Sequence, residues 1–338
     1  MQLGTDLGAV GTVLTAPFLF GGRMMKSKGR KVLVVISVVL VLLIVADWAL
    51  SVFIYDQNFD VRFTTGDSYL LKVEEFEGLS REKYEFTSDK GQKLTGYMYS
   101  SGDDEKKGII VLAHGFGGGG HCSYISCIDQ FAKHGYLVFA YDATACDESE
   151  GEKVGGLPQG VIDLDNAISF VEGNEAFPKL PIMLFGHSWG GYSVCTVLKY
   201  HPEVKAVVAC SGFDSSTDLI QSEGSEMIGP GIYAMMPFLK LHERMRFGER
   251  ANDTAMEGFA ASDAAVMILH SEDDTVVPIQ YGYDKYYEQY GSDNRFTFVR
   301  YEDRGHTVFA DQTTEFSNRN VDTELFNSIA EFYDSHLN

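Results

Sequence analysis

The chain has 338 residues, 45% of them apolar, and a formal net charge of −21; that is enough apolar material for one large core or two small ones, and it excludes a chain disordered through its bulk. The first 54 residues hold five basic and two acidic side chains, so the remainder carries −24, a balance that argues against nucleic acid as a partner. Five cysteines, an odd number in so long a chain, exclude a disulfide-built scaffold.

Taken in order, residues 1–31 form a basic segment. Its first 22 residues are glycine-rich and apolar without a charged start, and Met24-Met25-Lys26 reads as a more natural beginning for an export segment. Every residue from Val32 to Ala46 is apolar except Ser37, and the apolar character resumes after Asp47, so the run from Val32 to Ile54 covers 23 residues. As a helix it spans roughly 34 Å, enough for a hydrocarbon core of about 30 Å. All five basic residues precede it, which predicts a single-pass anchor at the cell membrane with the N-terminus in the cytoplasm and the acidic body outside. The competing expectation is a secretory signal cleaved at Ala49-Leu50-Ser51.

Residues 55–80 read as a linker. Beyond them KYEFTS (83–88) and KLTGYMYS (93–100) flank DKGQ, a hairpin pattern. Strand-like runs then follow at 108–113, 136–142, 181–185, 204–210, 265–270 and 295–301. Helical spacing appears at about 123–134, 159–172, 190–200 and 279–290 and in a last helix at about 321–336. Alternating strands and helices predict an α/β fold, a mostly parallel sheet with helices on both faces. Between the strands ending at Cys210 and beginning at Ala265, the stretch 212–264 is too long for a loop and is expected to form a small helical cap. Its Met235, Met236, Phe238 and Leu239 suit cap-to-core packing and, as the second choice, the lining of an acyl pocket. Cys195 and Cys210 lie in helix and strand contexts that suit buried thiols, and a bridge between Cys122 and Cys127 is not expected.

Chemistry should collect at the carboxyl ends of parallel strands. In LFGHSWGG (184–191), Gly186, Gly190 and Gly191 fence Ser188 between an apolar run and a helical one, as a strained strand-to-helix corner requires. In LAHGFGGGGH (112–121) a histidine-glycine pair opens a glycine-rich loop whose N–H groups can face an oxyanion, with Phe116 as donor. No Lys-Ser/Thr pair follows, so it is not a phosphate loop. His114 and His121 lack further ligands for zinc, and no metal or cofactor is expected. ILHSEDDTVVP (268–278) places Asp274, preferred over Asp273, after a strand, and YEDRGHTVF places His306 after another.

The order Ser188, Asp274, His306 is the α/β-hydrolase order. Through GHSWGG, HGFGG, DDTVVP and GHTVF, residues 81–338 resemble the α/β-hydrolase superfamily, and within it the serine esterases, lipases and serine aminopeptidase-like hydrolases. The resemblance implies Ser188 as nucleophile, His306 as general base, Asp274 as its orienting acid, and the N–H groups of Phe116 and Trp189 as the oxyanion hole. It departs at YDATACDESEGE (141–152), where relatives often carry an arginine-glycine turn, yet the fold is expected to be kept. Asp163 and Asp165, in the helix beyond, read as surface or loop-tethering groups. The leading expectation is a membrane-anchored hydrolase of carboxylic esters, acting on a small acyl ester. The alternatives are a peptidase of the serine aminopeptidase or prolyl-oligopeptidase-like type and a silent binding domain.

Overall fold

The computed structural model describes residues 27–102, 104–312 and 318–337; the glycine-rich start, Arg23 and Lys26 lie outside them. The chain divides into two compact units between Ala46 and Asp47. Up to Ala46 the first unit is helical from Ser27, with every residue from Val32 to Val45 exposed. This helix, α1 (Ser27–Phe59), is long and apolar enough to cross a membrane, with mean hydropathy 2.9 over its best window.

The second unit is built on eight strands: β1 (Leu79–Thr87), β2 (Lys93–Ser101), β3 (Ile109–Ala113), β4 (Leu137–Tyr141), β5 (Ile182–His187), β6 (Ala206–Cys210), β7 (Ala265–Ser271) and β8 (Phe296–Tyr301). They form one sheet in the order β1-β2-β4-β3-β5-β6-β7-β8, antiparallel at β1–β2 and β2–β4 and parallel elsewhere. The central strands are buried throughout, and mostly apolar, because both faces are covered. Side chains alternate between the faces: Ile109 and Val111 of β3 enter one core, and Ile110 and Leu112 the other. The second core is closed by α2 (Ile125–Lys133) and by the last helix, at Thr323–Asp334. The first is closed by α3 (Pro158–Gly173) and α4 (Trp189–Thr196).

The expected cap is three helices, α5 (Ser216–Ile228), α6 (Ile232–Phe247) and α7 (Ala255–Ala261). Two helices remain, α8 (Tyr283–Tyr290) and the last one, α9. All five cysteines are free thiols. Asp163 and Asp165 tether loops, as expected. Asp163 accepts from Ser88, Thr144 and Gln159, and Asp165 pairs with Arg250 and His201.

The stretch 55–80 differs from the expected linker. Helix α1 continues to Phe59, Tyr55 and Leu71 are buried, and Phe63 N–H bonds the Ala145 carbonyl. Arg62 makes this possible: its guanidinium donates to the carbonyls of Asp147, Ser149 and Gly151, satisfying the loop after β4. The same loop is tied down by Asp147, which accepts from Thr65 and Gly120.

The end of α1 meets the cap at a buried carboxyl. Tyr55 hydroxyl donates to Glu243 Oε1 at 2.7 Å, and Ser216 hydroxyl donates to the same oxygen at 2.5 Å. Burial pushes the Glu243 carboxyl up to about 7 from an ordinary 4.5. A carboxyl raised in the folded state favours folding fully below its unfolded value and loses that contribution as pH rises through the folded one. Stability should therefore fall between about pH 4.5 and 7, by on the order of 3 kcal/mol for a shift of this size. Denaturant midpoints at pH 5 and pH 8 check this: Glu243→Gln should flatten the fall, and equal slopes in both proteins would refute it.

Candidate active site

The site is assembled where four strands end. After β5 the chain must reverse into α4 within one residue, and Ser188 takes φ 57° and ψ −117° to do so, a conformation that costs about 1–3 kcal/mol for a residue with a side chain. The glycines answer the crowding around it. A Cβ on Gly186 would lie 2.2 Å from the Gly190 carbonyl oxygen, and one on Gly190 would lie 2.0 Å from that of Ala113. The corner is pinned by Ser188 N–H donating to Cys210 O at 2.8 Å. Ser188 stands at the N-terminus of α4, where unpaired N–H groups favour negative charge.

After β3, burial holds the His114 imidazole below its ordinary pKa and so neutral. Its Nδ1 donates to Gly115 O at 2.8 Å and its Nε2 accepts from Ala143 N–H at 3.0 Å. His121 is enclosed by Asp142 and Tyr99. Both imidazoles expected as poor zinc ligands are thus engaged by protein groups. Among the described residues neither Phe116 N–H nor Trp189 N–H donates to a protein acceptor. The two rings meet edge to face, 5.2 Å apart.

After β7, Asp274 is buried and saturated. One oxygen accepts the N–H groups of Val276 and Val277, both at 2.9 Å. The other faces His306 Nδ1 at 2.8 Å and His270 Nε2 at 3.2 Å. Burial opposes its charge, but the hydrogen bonds from His270 and His306 outweigh burial and hold the carboxyl well below the usual carboxylate range. Asp273 instead accepts from the Ser271 hydroxyl and Gly305 N–H, bracing the loop that carries His306. Gly305, at φ 60°, supplies the bend.

The structure brings Ser188, Asp274, His306, Phe116 and Trp189 to one end of the sheet. Ser188 and Phe116 line two cavities. One, of about 260 Å³, is walled by apolar residues of α1, α5 and α6; the other, of about 290 Å³, is lined also by His306, His187 and Tyr124. Met235 and Leu239 line the first, Met236 is buried in the core and Phe238 is half-buried, so the cap stretch serves both packing and pocket. No hydrogen bond joins Ser188 to His306 among the described residues. Such contacts are often long before substrate binds.

Two residues were missed by sequence reasoning. His270 faces Asp274 from four positions upstream, and its signal was its place in ILHSEDD. His187 is the other. Gly115 N–H donates to the Tyr124 hydroxyl (3.0 Å), which bonds His187 Nδ1 (2.8 Å), while His187 Nε2 bonds the His306 carbonyl (3.1 Å). Burial, reinforced by His306, pushes His187 down to about 3 and keeps it neutral, so that it can accept at one nitrogen and donate at the other.

Known proteins are similar to this chain in sequence and in fold. Residues 104–255 match the family model described as serine aminopeptidase, S33. A monoglyceride lipase of Saccharomyces cerevisiae is 24% identical over 297 residues, covering 71% of this chain and 90% of that protein. A monoglyceride lipase of Rattus norvegicus is 35% identical over 88 residues, 25% of this chain and 28% of that one. Among solved structures, an esterase of Pyrococcus furiosus superposes with a TM-score of 0.61 at 16% identity, covering 83% of this chain and all of that one. With the sheet order, the strained serine and these matches in place, the chain has the α/β-hydrolase fold and is similar in sequence to hydrolases of that class. Within that class it is an enzyme, a hydrolase.

Proposed function

We propose that the protein is a membrane-anchored serine hydrolase that cleaves carboxylic esters through an acyl-enzyme. The observation that carries this reading is the position of Ser188, at a strained corner between an apolar cavity fit for an acyl chain and a second cavity shared with His306. Ser188 Oγ attacks the carbonyl carbon while His306 Nε2, on the ring edge away from Asp274, takes its proton. The ionised Asp274 holds the tautomer and stabilises the imidazolium. The oxyanion forms against the N–H groups of Phe116 and Trp189. The alcohol leaves with the proton from His306, and water, activated by the same imidazole, releases the acid.

Glu223 is the one charged group among the described residues lining the apolar cavity, which favours an acyl chain over a peptide terminus there. Relatives named monoglyceride lipase point to the same class of substrate. Anchoring rests on the exposed apolar side chains from Val32 to Val45, which call for lipid around them. It rests also on the helix running unbroken through Ala49-Leu50-Ser51, with Ser51 buried and its hydroxyl on Asp47 O. The charge rule then puts the body outside.

Ser188→Ala should abolish hydrolysis of a p-nitrophenyl ester. Asp274→Asn should lower turnover by on the order of 10⁴, the loss typical when a triad loses its orienting carboxylate. Asp273→Asn, whose amide oxygen can still accept from Gly305, should be mild; steady-state kinetics check the ranking, and its reversal would move the role to Asp273. In cells the body should resist carbonate extraction and be cut by protease added outside intact protoplasts. Mature protein free in the medium and beginning near Val52 would identify a signal peptide instead.

A further inference from the structure

The apolar run that reads as an anchor ends at Ile54, and Ile54 already lines the cavity that reaches Ser188. Tyr55, Asn58 and Phe59 line it too. Positions 54, 55, 58 and 59 lie on one stripe of a helix. Resting on the ester-hydrolase reading above, we infer that the last turns of α1 are the specificity-determining wall of the acyl site. The helix proposed to hold the enzyme to the membrane thus also sets which aliphatic acyl chains it accepts.

The wall is fixed in place rather than laid loosely over the cavity. Tyr55 is fully buried with its hydroxyl on Glu243, and a Cβ at Gly156 would lie 2.0 Å from that hydroxyl, so the ring fills space that only glycine leaves open. At the next residue Asp56 pairs with His242 at 3.1 Å and Arg246 at 3.0 Å, and Asp60, one residue past the end of α1, pairs with Arg246 at 2.9 Å. Asp56 and Asp60, four residues apart, meet His242 and Arg246, four apart on α6, and so tie the end of α1 to α6. Facing this wall across the cavity stand Leu219 and Ile220 of α5 and Met235 and Leu239 of α6.

The wall also touches the reacting end. Tyr55 and Phe59 rings lie 5.3 Å apart, Phe59 and Phe116 6.1 Å, and Phe116 and Trp189 5.2 Å. A row of rings therefore runs from the end of α1 to the two residues whose N–H groups are proposed to meet the oxyanion. An acyl chain whose carbonyl sits at Ser188 lies between that row and the cap, and its length and bulk are read by side chains of α1.

The test compares kcat/KM for p-nitrophenyl decanoate with that for the acetate, using the full chain in one detergent. Ile54→Trp and Asn58→Trp, the second at an exposed position that does not threaten folding, should each lower the decanoate-to-acetate ratio at least tenfold, since a misfit of a methylene or so is worth roughly 10–200-fold. Gln57→Trp, exposed and not lining the cavity, should leave the ratio within twofold of the parent. Ser188-dependent hydrolysis with an unshifted ratio in both lining variants overturns the inference alone, as does an equal shift in Gln57→Trp. Hydrolysis that survives Ser188→Ala overturns the serine-hydrolase reading and this inference with it.

Discussion

The structure of the site depends on one constraint: a serine with a side chain must occupy a left-handed corner that L-residues avoid. Ser188 does so because its N–H is held by Cys210 O and because Gly186 and Gly190 let β5, α4 and the end of β3 approach to distances no Cβ would allow. That closeness sets the ring of Phe116 against that of Trp189 at the start of α4, and among the described residues neither residue's N–H donates to a protein acceptor. The strain is thus sustained by packing in the sheet and is retained at the point where chemistry is proposed.

Around that corner, burial keeps two histidines neutral. His114 and His187 are kept neutral and act as rigid hydrogen-bond spacers between loops. His306 is partly exposed and faces an aspartate that two other backbone donors and His270 hold ionised. The chain Gly115, Tyr124, His187, His306 carbonyl joins the ends of β3, β5 and β8 through hydrogen bonds alone. Such a network rigidifies when every member is satisfied, and burial keeps its imidazole from titrating near neutrality.

Much of this was legible in the sequence, for identifiable reasons. Strands buried on both faces leave continuous apolar runs, and PIMLF and AVMILH were found within a few residues of β5 and β7. Ser188, Asp274 and His306 each follow such a run, so order along the chain stood in for position at the sheet's edge. Residues whose roles depend on distant partners left no local mark. Glu243 looks like any helix-surface acid until Tyr55, 188 positions away, is set against it. The stretch from Tyr55 to Ser80 looked like a linker because it is polar, and Arg62 satisfying three loop carbonyls is what lets so polar a segment pack. His270 and His187 were hidden because each works through another residue.

The central claim is that Ser188 is the group that takes the acyl chain. Treating the intact protein with a fluorophosphonate and mapping the adduct by peptide mass spectrometry tests it most directly. The account predicts a single adduct, on the peptide containing Ser188 and on that side chain, with hydrolysis lost in proportion to labelling. An adduct on a different residue, or an unlabelled Ser188 in a fully inactivated enzyme, would contradict it.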